Sequence, residues 1–121
     1  LFNRVAKDFV IQAGSPDNTQ VGGPGYSVKG EVPTTTPPYP IGSLAMAKAG
    51  NEPAGTAGSQ FFVVTGANGE TLQPDYAFVG SITEGLDVAQ KIGQLYPPSG
   101  DGKPTKNVTI KKVTISSTAA P

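Results

Sequence analysis

The sequence predicts a mainly β domain, folded as a barrel rather than an open sheet. Three observations carry this. Apolar residues come in short β-branched and aromatic runs. Sixteen glycines and twelve prolines punctuate those runs, as tight turns between short strands require. Only one stretch, late in the chain, has a helical period. At 121 residues the chain holds one domain with a modest core.

The elements follow in order. Asp8 to Ala13 reads as a strand running into the turn Gly14-Ser15-Pro16-Asp17. Gly22-Gly23-Pro24-Gly25 is a loop whose glycines take positive φ at little cost. A short strand is expected around Tyr26 to Glu31. The stretch Pro33 to Pro40, rich in proline and threonine, is an extended connection. Ile41 to Met46 is a strand, and Asn51 to Gly58 a small-residue loop. Gln60 to Thr65 is the strongest strand, apolar on both faces over Phe61 to Val64, as a buried strand should be. Tyr76 to Ile82 is another.

The helix is expected over residues 84–95. Val88, Ile92 and Leu95 form its apolar face, Thr83 its N-cap, and Pro97-Pro98 its stop. Val108 and Ile110, then Val113 and Ile115, alternate in opposite phase across Lys111-Lys112, which predicts a final strand with a bulge. The domain spans residues 1–115, with a flexible tail over 116–121.

Composition removes whole reaction classes. The chain has no histidine and no cysteine, so it holds no Ser-His or Cys-His nucleophile pair, no thiol redox chemistry and no zinc site of ordinary ligand type. Its nine carboxylates show no metal-binding spacing. Net charge is zero and no basic stripe exists to track a phosphate backbone, which argues against nucleic-acid binding. No apolar stretch reaches a membrane-span length and no signal-peptide pattern or membrane anchor is visible. Gly22–Gly25 and Gly100–Thr105 lack the spacing of phosphate loops. The sequon Asn107-Val108-Thr109 falls in an expected strand and reads as chance. Any enzymatic chemistry here should need neither a proton shuttle nor a metal.

Two strings stand out: Phe2-Asn3-Arg4-Val5 with Phe9-Val10-Ile11-Gln12, and Gly58-Ser59-Gln60-Phe61-Phe62-Val63-Val64-Thr65. They resemble the active-site strands of the cyclophilins, the cyclosporin-type peptidyl-prolyl cis-trans isomerases. The resemblance continues through Ile41 to Ala47, Tyr76 to Gly80 and Val108 to Ile110, nearly the whole chain. It implies a closed eight-stranded antiparallel barrel capped by two helices. Against that pattern, two strands and the first helix preceding the arginine strand are absent. The expectation is an incomplete barrel: either the chain is a fragment, or a partner segment completes it.

The resemblance also implies the chemistry, rotation about X-Pro bonds in proline-containing peptide segments, without a cofactor and in support of protein folding. Arg4 is the implied catalytic group. Phe9, Val10, Met46, Phe62 and Leu72 are the implied pocket wall, with Phe62 facing the pocket and Phe61 the core. Gln12 is implied to orient Arg4, and Gln60 and Ala47 to bind the peptide main chain. Tyr76 stands where many eukaryotic members carry histidine, a bacterial trait. Asn3 replaces the usual histidine before the arginine, Lys48 the usual asparagine after the rim alanine, and Thr71 or Leu72 the tryptophan of cyclosporin-sensitive members. Weak cyclosporin binding is therefore expected. The second functional reading is a proline-peptide binding or chaperone module with weak catalysis. Location in a bacterial cytoplasm and export to the cell surface both fit.

Overall fold

The computed structural model describes residues 1–118. Among them eight strands follow in chain order: β1 (Phe2–Ala6), β2 (Val10–Ala13), β3 (Val28–Lys29), β4 (Ser43–Met46), β5 (Thr56–Ala57), β6 (Phe61–Val64), β7 (Phe78–Ser81) and β8 (Asp101–Gly102). A 3-10 turn covers Ala67–Thr71, and one helix, α1, spans Leu86–Ile92. Six strands form one antiparallel sheet in the order β7-β4-β6-β2-β1-β8, and β3 pairs with β5 in a separate ribbon. The architecture is mainly β, as expected. The sheet is open, the incomplete form of the barrel, because no described strand pairs with the outer edges of β7 and β8.

The centre of the sheet is β2, hydrogen-bonded to β1 on one side and β6 on the other and buried along its whole length. Burial on both faces explains the unbroken apolar runs. One face packs Ala6, Val10, Tyr39, Ala45, Phe62 and Val64 together. The other packs Val5, Ile11 and Val63 against Ala89 of α1. Period-two alternation divides neighbouring residues between these two cores.

A register shift in β1 positions the site. Phe2 stands opposite Ala13, yet Arg4 stands opposite Gln12, so Asn3 is the extra residue of a bulge. Such a bulge re-aims the side chains beside it. Here it brings Arg4 and Gln12 level on adjacent strands.

Four expectations are corrected. The helix is shorter than 84–95, and its cap is Gly85 in the left-handed region at φ 85°, not Thr83. Its buried residue is Ala89, while Val88 is 56% exposed. The helix frays into i→i+3 turns at Gln94 and Leu95; of the expected face Val88, Ile92 and Leu95, Ile92 packs on the core and Val88 does not. The final strand is also absent. Residues 107–118 have no regular structure, and Val113 and Ile115 lie exposed. One bond, from the Phe2 N–H to the Val108 carbonyl at 3.0 Å, ties this stretch to the sheet. Alternation alone cannot make a strand where no ladder partner is offered. Of the tail expected over 116–121, residues 119–121 lie outside the described residues.

Candidate active site

Arg4 sits near one edge of the sheet, on β1, between β2 and the two-residue strand β8. Its guanidinium makes a two-point pair with Asp101 of β8: Nε donates to Oδ1 at 2.8 Å and Nη2 to Oδ2 at 2.7 Å. This parallel-fork geometry holds the plane of the group as well as its position. The pair raises the Arg4 pKa and holds the Asp101 carboxyl below its ordinary value, each through the shared hydrogen bonds first. Nη1 is left on the Gln12 side, where it donates to Oε1 at 3.5 Å, a long contact. Orientation of Arg4 therefore comes mainly from Asp101, with Gln12 in support. The Phe9 ring lies beneath the guanidinium carbon at 5.6 Å, within cation–π range.

Behind Arg4 runs a relay of buried amides. Gln60 Oε1 accepts from Gln12 Nε2 at 2.8 Å and from Asn3 Nδ2 at 3.1 Å. Gln60 Nε2 donates to the carbonyls of Gln20 and Gly22 at 3.0 and 2.7 Å. Asn3 Nδ2 also donates to the Thr19 carbonyl. Both polar side-chain atoms of Gln60 are thus engaged within the protein, locking the 19–22 loop to the sheet and setting which way Gln12 presents its oxygen to Arg4.

In front of Arg4 lies a cavity of about 160 Å³. Phe9, Val10, Phe62, Leu72 and Tyr76 form its apolar wall, and Arg4, Gln12, Gln20 and Lys48, with Ala47 between them, its rim. Phe62 and Tyr76 pack edge to face at 5.4 Å, and both rings meet Tyr39 at 6.1 to 6.2 Å. This small cavity is the middle of three. A hollow of about 650 Å³ shares Gln12, Gln20, Ala47 and Lys48 with it and is closed by Gln60 and the Gly22–Ser27 loop. Another, of about 560 Å³, shares Phe9, Leu72 and Tyr76 and ends at Asp101. Through these shared residues the three adjoin as one trough, with the small apolar well at its centre.

Nine of the ten residues singled out from sequence thus converge on the trough. Met46 does not line it. Met46 pairs with Phe61, whereas its neighbour Ala45 pairs with Phe62; alternation therefore turns Met46 toward the opposite face. Phe61, expected in the core, is only half-buried. Thr71 is exposed, with its hydroxyl donating to the Asn68 carbonyl at 2.7 Å, and borders the outer hollow rather than the central well.

Sequence reasoning missed two residues of consequence. Asp101 stood in a Gly-Asp-Gly turn far from Arg4 in sequence, and nothing local announces the pairing. Tyr39 lay in the proline-rich connection read as extended, yet it is fully buried under the well. Its signal was modest: one large aromatic residue in a stretch of prolines and threonines.

The geometry can be set beside known proteins. The model of the family described as cyclophilin type peptidyl-prolyl cis-trans isomerase/CLD matches residues 1–115. Peptidyl-prolyl cis-trans isomerase B of Bacillus subtilis is 38% identical over 91 residues, covering 75% of this chain and 61% of that protein. A probable peptidyl-prolyl cis-trans isomerase B of Mycobacterium tuberculosis is 39% identical over 118 residues, covering 86% of this chain and 37% of that one. The chain therefore spans less than two thirds of the length of these curated relatives. Among solved structures, a cyclophilin type isomerase of Cryptosporidium parvum, crystallised in the presence of the dipeptide Ala-Pro, superposes with a TM-score of 0.80 at 29% identity. That match covers 98% of this chain and 75% of the other. The bulged arginine strand, the amide relay and the apolar well thus sit within a recognised frame: the chain belongs to the cyclophilin-type peptidyl-prolyl cis-trans isomerase family.

Proposed function

We propose that residues 1–115 catalyse rotation about X-Pro peptide bonds in extended segments of protein and peptide substrates. The observation that carries this reading is Arg4, held in a two-point pair by Asp101 at the lip of an apolar well. The family relationship and the relative crystallised in the presence of Ala-Pro support it.

The chemistry needs no bond to be broken. Amide resonance resists twisting, with a barrier of about 18–20 kcal/mol, and uncatalysed exchange takes tens to hundreds of seconds, on the order of one event per minute. In the twisted state the prolyl nitrogen becomes pyramidal and recovers its lone pair. A fixed cationic donor then interacts with that nitrogen more strongly than with the planar amide, and this difference is catalysis. In the proposed mechanism the proline ring occupies the well of Phe9, Val10, Phe62, Leu72 and Tyr76. Arg4 Nη1, the guanidinium nitrogen not bound to Asp101, serves as the donor. Gln12 and Ala47, on the rim, hold the peptide main chain while the preceding carbonyl swings.

Gln60 enters this reading as a positioning residue, since its amide is consumed by the relay. Weak cyclosporin binding belongs to the same reading, because neither Thr71 nor Leu72 offers an indole; a low-nanomolar dissociation constant would contradict it. NMR exchange spectroscopy on an Ala-Pro peptide, with the chain present in catalytic amount, tests the proposal. Accelerated cis-trans exchange is expected. No acceleration from a sample with well-dispersed amide signals would overturn catalysis and leave a peptide-binding module.

A further inference from the structure

We propose that Lys48 gives the site a preference for peptides carrying a carboxylate on a residue flanking the proline. The inference rests on the reading above for where the proline ring sits. Lys48 follows β4 and is half-buried at the boundary between the central well and the larger hollow, lining both. Its ammonium stands 5.4 Å from the centre of the Tyr76 ring, the well's outer wall. Its one hydrogen bond is a long contact to the Ala49 carbonyl at 3.4 Å.

Charge accounting around this point is one-sided. Arg4 and Lys48 both line the well, and no carboxylate does. The Arg4 charge is matched by Asp101, the ion pair present among the described residues. Glu52 shares the wall of the larger hollow, but its Oε1 accepts from the Ala49 N–H at 2.8 Å and so is turned to its own loop. Lys48 thus stands where the two cavities meet without a salt-bridge partner among the described residues. Consecutive α-carbons of a peptide lie about 3.8 Å apart, so a proline seated in the well places a flanking residue at this boundary. A carboxylate there meets an ammonium in a partly desolvated trough, and a lysine there meets a like charge.

Because the site is open to solvent, the expected preference is modest, about two- to five-fold in affinity, and it should shrink as salt is raised. The test compares the peptide pairs Ala-Glu-Pro-Ala with Ala-Gln-Pro-Ala, and Ala-Ala-Pro-Glu with Ala-Ala-Pro-Gln, both pairs amide-capped. Affinity is read by NMR titration and turnover separately by exchange spectroscopy, for the unmodified chain, Lys48→Met and Lys48→Glu. The expected result is tighter binding of the glutamate peptide in at least one pair, lost in Lys48→Met and inverted in Lys48→Glu. Equal affinities within both pairs for the unmodified chain, or a preference that survives in Lys48→Met, would overturn the proposal. A preference seen without any turnover would uphold it while removing the isomerase reading. Turnover without a preference would do the reverse.

Discussion

The Tyr39 hydroxyl donates to the Tyr76 carbonyl at 2.6 Å and accepts from the Tyr76 N–H at 2.8 Å. A single buried phenol thereby satisfies both main-chain groups of a residue that walls the central well. The same two rings pack edge to face with each other and with Phe62. The proline-rich connection is thus a structural support that fixes where the well's aromatic wall stands.

Tyr39→Phe keeps the ring and removes the clamp, leaving an N–H and a carbonyl of Tyr76 without their partner. The expected cost is about 1–3 kcal/mol, read as a lower urea midpoint at unchanged slope. Burial also pushes the Tyr39 phenol above its ordinary pKa. Its contribution should therefore be complete below about pH 10, the ordinary tyrosine value, and fall as pH rises through the raised folded value. An alkaline loss of stability steeper in the parent than in Tyr39→Phe is the expected signature.

Asp101→Asn separates orientation of Arg4 from its presence. The amide offers one acceptor where the carboxylate offers two, so the fork is lost. Turnover should fall by about tenfold, equivalent to about 1.4 kcal/mol of transition-state positioning. The pair is partly solvated, so global stability should change by less than about 1 kcal/mol. In the parent the Arg4 hydrogen bonds depress the Asp101 pKa. The pair's contribution is then present above the ordinary carboxylate value of about 3.9 and is lost as pH falls through the lower folded value. The parent should show this acid limb in its pH–rate profile, and the asparagine variant should lack it.

Gln60→Glu tests the relay. A carboxylate can still accept from Gln12 and Asn3, but it has no N–H for the Gln20 and Gly22 carbonyls, which it would face at the 2.7 to 3.0 Å now spanned by hydrogen bonds. Release of the 19–22 loop is expected, visible as faster amide exchange there. The accompanying destabilisation should be about 1–3 kcal/mol. Unchanged exchange protection would show that the loop is held by something else.

Local pattern and family likeness made much of this molecule legible. The apolar run around Phe61 to Val64 announced an inner strand because burial on both faces leaves no polar alternation. The Arg4 and Gln12 strings announced one wall of the site. Other features depend on contacts that no window of sequence contains. Asp101 meets Arg4 across 97 positions, and Tyr39 meets Tyr76 across 37. Met46 lies off the well because the register of β4 against β6 sets Ala45, not Met46, opposite Phe62. The strand expected at Val108 to Ile115 had the right alternation and no ladder to join. Val88 fits a helical apolar period, but the helix turns its neighbour Ala89 to the core and leaves Val88 in solvent.

The central claim is that Arg4 acts on the twisted state rather than on the bound peptide. The most direct test measures the exchange rate at saturating Ala-Pro peptide, and the peptide dissociation constant, for the parent chain and for Arg4→Ala. Removing one oriented donor typically costs about 10²- to 10³-fold in rate, so a loss of that size is expected with affinity retained within about threefold. A variant that turns over the peptide within about twofold of the parent would contradict the claim. So would a variant whose rate at saturation is intact while its affinity alone collapses.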